Sequence, residues 1–324
     1  MVKIVSWKKN ISVAAAFIGT ALGTMHVVNR IFNYIATADN RLEEETYEYY
    51  EWRFGKIAYK KKGSGSPLLL IHNLDVCSSS HEWNKIEASL AKTYTVYSLD
   101  LLGCGCSDHP ILTYTNFLYV QLITDFIKHI IGDRTDVIVS RDSAPFVLMA
   151  CSNDNTIINK VAMINPQNLV SLAKIPTKRT KTIKYLLSTP IVGTFIYNMN
   201  VNKKTISQKF VSSYFYDHNK VDENDILTCF ESSHKHKAHS KFLYACKKSR
   251  FTNANILCCL SKLNNSIFII IGNSNPENIL SANQYQNQLP SIEIVGINKT
   301  KQLPHVENPK EFIEQIQILF SEGE

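Results

Sequence analysis

The 324 residues contain no CxxC pair, and none of the eight cysteines (Cys77, Cys104, Cys106, Cys151, Cys229, Cys246, Cys258, Cys259) stands at metal-ligand spacing. That argues against zinc ribbons and dithiol redox motifs. Several cysteines sit in apolar runs, as Cys151 does after Leu148-Met149-Ala150. They read as small buried thiols of a reduced protein more than as a disulfide framework. There is no internal repeat and no low-complexity tract, so a solenoid array is not expected. No DNA- or RNA-binding signature accompanies the positive charge, and nucleic acid is not an expected partner. No cofactor and no metal is expected.

What is present is a folded chain. A hydrophobic fraction of 44% over this length is enough for a large core, in place of a disordered segment. The net charge of +7 is uneven: Ser171–Arg250 holds 15 Lys/Arg against five Asp/Glu. A basic insertion on a mildly acidic body could meet anionic lipid or an anionic ligand, or be a solvated surface without a specific partner. Within it, His234-Lys-His236-Lys-Ala-His239 lacks a carboxylate or cysteine to complete a metal set, and solvated histidines are expected there.

The N-terminus has three lysines up to Lys9, then an uncharged run of 18 residues, Ile11–Val28. That is just short of the roughly 20 that a helix needs to cross a bilayer. Residues 1–40 therefore read as a hydrophobic anchor, with membrane association expected through this helix. A cleaved signal peptide, or an amphipathic helix docked on membrane or body, are the competing readings. Lys3, Lys8 and Lys9 favour a cytoplasmic N-terminus, whereas the free thiols favour a reduced body, so the side of the membrane stays open. Residues 41–51, including the acidic, Tyr-rich Glu43–Glu51, read as a linker.

From Trp52 the pattern alternates regularly. Strands are expected at Trp52–Tyr59, Leu68–His72, Thr95–Leu99, Val137–Val139, Val161–Ile164, Ile267–Ile271 and Ile292–Val295. Helices are expected at Glu82–Lys92, Tyr114–Ile131, Phe146–Ser152, Ile279–Gln288 and Pro309–Phe320. Alternation of this kind implies an α/β fold with a mostly parallel sheet covered on both faces, over residues 52–324. The gap of about 100 residues before Ile267 is too long for one crossover. It reads as a helical lid over 166–262.

Three local sequences now point to one family. His72-Asn73-Leu74 resembles the His-Gly loop of α/β-hydrolases. Asp100-Leu-Leu-Gly103-Cys-Gly105-Cys-Ser107 resembles their Asp-x-x-Gly-x-Gly-x-Ser turn. Asn165-Pro166 and Pro304-His305-Val306-Glu307-Asn308-Pro309 resemble the lid boundary and the C-terminal signature. The resemblance implies the α/β-hydrolase fold, but the catalytic slots differ. The nucleophile elbow reads Ser140-Arg141-Asp142-Ser143-Ala144, with Asp142 at the nucleophile position. A register with Ser143 as nucleophile would put Pro145 and Phe146 where small residues are required. The acid slot holds Asn275 and the base slot Gln302. Gln302 has no pKa near neutrality, and Asn275 cannot stabilise an imidazolium. The oxyanion-hole donors would be the N–H groups of Leu74 and Ser143, with Asn73 replacing the usual glycine. His305, roughly 10 Å along an extended chain from Gln302, is the possible surrogate base, or a histidine behind the site or on the surface.

Two functional readings follow. One is a catalytically inactive α/β-hydrolase-fold protein at a membrane, acting by binding a small-molecule ligand or a protein partner. The other is a divergent ester or epoxide hydrolase with Asp142 as nucleophile. In the first, Asp142 is expected in a salt bridge to Arg141 or a lid lysine, or as a carboxylate at a helix N-terminus.

Overall fold

The structure is a computed structural model that describes residues 2–44 and 46–321. Among the described residues, eight strands form one sheet: β1 Glu48–Trp52, β2 Gly55–Lys62, β3 Ser66–Ile71, β4 Tyr94–Leu99, β5 Thr135–Ser140, β6 Ile158–Ile164, β7 Ser266–Gly272 and β8 Glu293–Ile297. Their order is β1-β2-β4-β3-β5-β6-β7-β8. β2 runs antiparallel to β1 and β4, and every other pairing is parallel.

The parallel strands are short apolar runs because helices cover both faces. Leu68, Leu70, Ile138, Ala162, Phe268 and Ile270 point to one face, where Trp83, Ile86, Phe312 and Ile316 close the core. The alternate residues Leu69, Ile71, Val137, Val139, Met163 and Ile269 point to the other, against helices 116–126, 144–153 and 276–288. Between β6 and β7 the chain is a succession of helices from Leu169 to Leu260, over the C-terminal ends of the strands.

Two expectations change at the start of the body. Glu48–Trp52, expected in the linker, is the edge strand β1, while Glu45 lies outside the described residues. The expected strand Trp52–Tyr59 is broken after Trp52 by a turn at Arg53–Phe54, and Gly55, at φ 142°, starts β2. An edge strand has little apolar alternation to betray it. Here it is fixed by long-range bonds: Tyr59 Oη donates to Glu48 Oε2 (2.7 Å) and Trp52 Nε1 to Asp125 Oδ2 (2.8 Å).

A 36-residue helix, Val2–Thr37, precedes the sheet. Its stretch Asn10–Thr37 is long and apolar enough to cross a membrane. Its C-terminal third is docked: Asn29 is buried, donates to Ile191 O and accepts from Asn198 Nδ2, both at 3.0 Å. A second clasp follows, where the buried Glu231 carboxylate accepts the backbone N–H groups of Arg41 (2.7 Å) and Leu42 (3.3 Å).

Candidate functional site

The C-terminal ends of β3 to β8 converge on one region, and the loop after β4 shows why its sequence is glycine-rich. Asp100 accepts the N–H of Ser80 (2.6 Å) and of Cys106 (2.7 Å), so the chain must wrap around its carboxylate. Gly103 and Gly105 adopt φ of 85° and 54°, and a Cβ on Gly105 would stand 2.2 Å from Asp100 Oδ2. Ser107 Oγ donates to Asp100 O and accepts from Ala58 N, closing the turn onto β2. His72 is part of the same scaffold. Its Nε2 accepts from Leu101 N (3.0 Å), which places the proton on Nδ1, donating to Asn73 O (2.7 Å).

Past β5 the chain turns sharply into helix 144–153. The left-handed residue of this turn is Arg141, φ 45°, one position before Asp142. A non-glycine residue in that conformation is strained, and such strain gathers at functional sites. Asp142 forms an ion pair with Lys247 Nζ at 3.0 Å, and the same ammonium reaches Asp75 at 3.5 Å and the carbonyl of Leu74. The expected pairing with a lysine of the helical segment is thus made by Lys247, from helix 240–248. Burial lowers the Lys247 pKa, but the Asp142 and Asp75 carboxylates outweigh it and the net shift is upward. Asp75 is pushed up by burial and held down to about 2 by Lys247 and Lys209.

Asn73, in the slot of the usual glycine, uses the side chain a glycine would lack. Its Oδ1 accepts the backbone N–H of Asp142 (3.1 Å), and its own N–H donates to Glu82 Oε2 (3.1 Å). Ser143 is fully buried, with Oγ donating to His72 O at 2.7 Å. Leu74 is also buried.

The two residues expected at the remaining slots, Asn275 and Gln302, are joined through a third amide. Asn275 caps helix 276–288 through Glu277 N (3.1 Å), and its Nδ2 lies 3.4 Å from Asn278 Oδ1. Gln302 Nε2 donates to the same Asn278 oxygen (3.2 Å). Asn165, left-handed at φ 43°, donates to the carbonyls of Lys301 and Gln302 (3.0 Å each) and accepts from Gly272 N (3.1 Å). Glu307 takes the N–H of Lys301 (2.7 Å) and of Tyr216 (2.6 Å). Asn275 and Gln302 therefore meet through Asn278. Asp142 and Gln302 line a common open cleft of about 1220 Å³, which Arg141 and Glu277 also line.

His305 and the histidines of the helical segment are packed elsewhere. His305 is fully buried between Trp83 and Phe312, with Nε2 3.3 Å from Glu82 Oε1. Burial raises the Glu82 pKa and the His305 contact outweighs it, leaving the carboxyl below its ordinary value. The expected solvated histidine cluster is corrected at His234. That ring is fully buried against Phe230 and Tyr197, and burial lowers its pKa to about 4. The His236 ring lies 4.7 Å from that of His109, tilted by 50°, where the helix 223–238 breaks into left-handed residues at 236–238. Sequence reasoning missed Lys247, one of many lysines in a basic segment, and gave Arg141 no role beyond a partner for Asp142. A positively charged residue inside an otherwise small-residue turn was the available signal.

No family model matches the chain. An uncharacterized protein of Mycobacterium tuberculosis is 35% identical over 81 residues, 25% of this chain and 23% of the relative. A soluble epoxide hydrolase of Corynebacterium sp. is 30% identical over 83 residues, 26% of this chain and 28% of the enzyme. The chain spans about a quarter of the length of the curated relatives it matches. Solved structures match over more of it. A bromoperoxidase from Bacillus anthracis superposes with a TM-score of 0.69 at 16% identity, covering 86% of this chain and 100% of the enzyme. An epoxide hydrolase gives 0.70 at 16%, covering 85% and 98%. A membrane phospholipase A described as a bacterial virulence factor gives 0.67 at 17%, covering 96% and 97%. The unmatched 4% in that last case is shorter than the 36-residue N-terminal helix, so the match extends into it. The protein has the α/β-hydrolase fold. At these identities the similarity fixes architecture and leaves the chemistry to the site.

Proposed function

We propose that this chain is a membrane-associated α/β-hydrolase-fold protein that binds a ligand or partner and does not turn it over. One observation carries the reading: the carboxylate at the elbow is engaged by an ammonium, and the residues expected at the other two slots are amides that both bond to Asn278. Hydrolysis through Asp142 needs a group that can take a proton from water. Lys247, with its raised pKa, is protonated at neutral pH and has no lone pair to offer. Gln302 never has a basic one.

The membrane part of the proposal rests on the N-terminal helix. Its stretch Asn10–Val28, exposed as far as Ala21 and half-buried at Leu22, Met25 and Val28, rises about 28 Å at 1.5 Å per residue, close to a hydrocarbon core of about 30 Å. Apolar side chains there face outward, with Phe17 74% exposed. The match to a membrane phospholipase A that includes part of this helix supports the same reading.

The alternative, an ester or epoxide hydrolase using Asp142, draws support from the similarity to epoxide hydrolases. The placement of His305 against Glu82 speaks against it. The two separate in one assay of the full chain with short p-nitrophenyl esters and styrene oxide. No turnover above a buffer blank is expected. Robust turnover that Asp142→Asn abolishes would establish the hydrolase instead.

A further inference from the structure

A pocket opens between the loop after β3 and the helical segment. Cys77, Phe210, Tyr214, Cys229, Leu303 and Val306 give it an apolar wall. Its charged groups are mostly matched. His81 Nε2 pairs with Asp225 Oδ1 at 2.9 Å, and Glu82 is engaged by Asn73 N and His305.

Lys85, exposed at the rim, and Arg141 have no ion-pair partner within 4.0 Å among the described residues, although, against the lowering effect of burial, Asp142, Glu82 and Asp75 lie near enough to Arg141 to raise its pKa. The Arg141 guanidinium lies over the Tyr214 ring at 5.2 Å and lines both this pocket and the neighbouring cleft. No carboxylate of the described residues lies within 4.0 Å of it, although its sequence neighbour Asp142 carries one, which is turned to Lys247. A partly buried guanidinium with five donors and no bound carboxylate favours an anion that can accept two of them at once. It is held there by a left-handed backbone that arginine adopts only at a cost.

We propose that this pocket binds an anionic amphiphile, a carboxylate or phosphate head on Arg141 with an aliphatic chain along Phe210, Leu303 and Val306. This rests on the non-catalytic reading above, under which such a molecule is a ligand and not a product. No covalent step is involved.

The test uses the full chain in phosphatidylcholine nanodiscs, titrated calorimetrically with octanoate, octyl phosphate and octanol, with empty nanodiscs subtracted. Both anions, or one of them if the head is discriminated, are expected to bind at least tenfold tighter than octanol. Arg141→Gly removes the guanidinium while relieving the left-handed strain, so the fold is retained and the thermal midpoint stays or rises. It should weaken the anions at least tenfold and leave octanol unchanged. Val306→Trp, which fills the apolar wall without touching the charge, should weaken all three. The inference is overturned if octanol binds as tightly as the anions, if Arg141→Gly leaves their affinity intact, or if a folded wild-type chain binds none of them. Turnover of p-nitrophenyl octanoate by the wild type would overturn the non-catalytic reading by itself, whatever the octanoate titration shows.

Discussion

At the residue scale, the site is built from groups whose usual freedom has been removed. Gly105 has no room for a Cβ beside Asp100 and sits at positive φ, so Gly105→Ala forces both a clash and a strained backbone. We expect it to lose about 2 kcal/mol or more in denaturant unfolding, whereas the same change at Gly132, with open space around it, should cost less. Asp75 gives a pH signature. Its pKa lies near 2 in the fold, against 3.8 without partners. Its ionised form therefore contributes stability that is complete above about pH 4 and lost as pH falls through 2. Asp75→Asn should lower stability at pH 7 by up to about 2 kcal/mol and flatten the acid limb below pH 4, as read from urea midpoints. The Asp, Asn and Gln at the expected slots are plain in the sequence, because each sits in a short motif next to a strand. Lys247 is not, since no motif surrounds it and its partners, Asp75 and Asp142, lie far away in the chain.

At the element scale, the N-terminal helix and the helical segment form one unit through two clasps. Glu231 is buried and accepts from Arg41 N and Leu42 N, so Glu231→Ala leaves two backbone donors without their acceptor. Limited proteolysis should then cut between residues 37 and 47 faster than in the wild type, with the sheet core intact. His234 couples the same segment to acid. Its folded pKa of about 4 lies below the ordinary 6.5, so its contribution is full above about pH 6.5 and declines as pH falls towards 4. At pH 5 the loss is about 2 kcal/mol. His234→Phe should remove that part of the slope of thermal midpoint against pH between 7 and 5. The helices and strands themselves were legible from periodicity, apart from β1. An edge strand exposed on one side and rich in Glu and Tyr has no apolar alternation to show, and its pairing with β2 is a tertiary matter.

At the scale of the whole molecule, a continuous helix joins the apolar segment to the body with no loop between them. Docking at Asn29 fixes how the body sits relative to whatever the free end of that helix enters. Deleting residues 2–21 should shift the protein from a membrane pellet to the supernatant after high-speed centrifugation, with little change in the body's thermal midpoint. Retention of the truncated body on phosphatidylserine vesicles that is lost in high salt would assign membrane binding to the basic helical segment instead.

Most of the strands and helices, the Asp100 turn and the residue types at the three expected catalytic slots are read from local sequence, because short apolar runs, glycine at strained turns and motif spacing are properties of neighbouring residues. Which charge meets which was decided only by folding. The ion pair of Asp142 with Lys247, the withdrawal of His305 to Glu82 and the unpaired guanidinium of Arg141 depend on segments far apart in the chain, brought within a few ångströms at the ends of the parallel strands, where Coulomb and hydrogen-bonding energies become large enough to choose a partner.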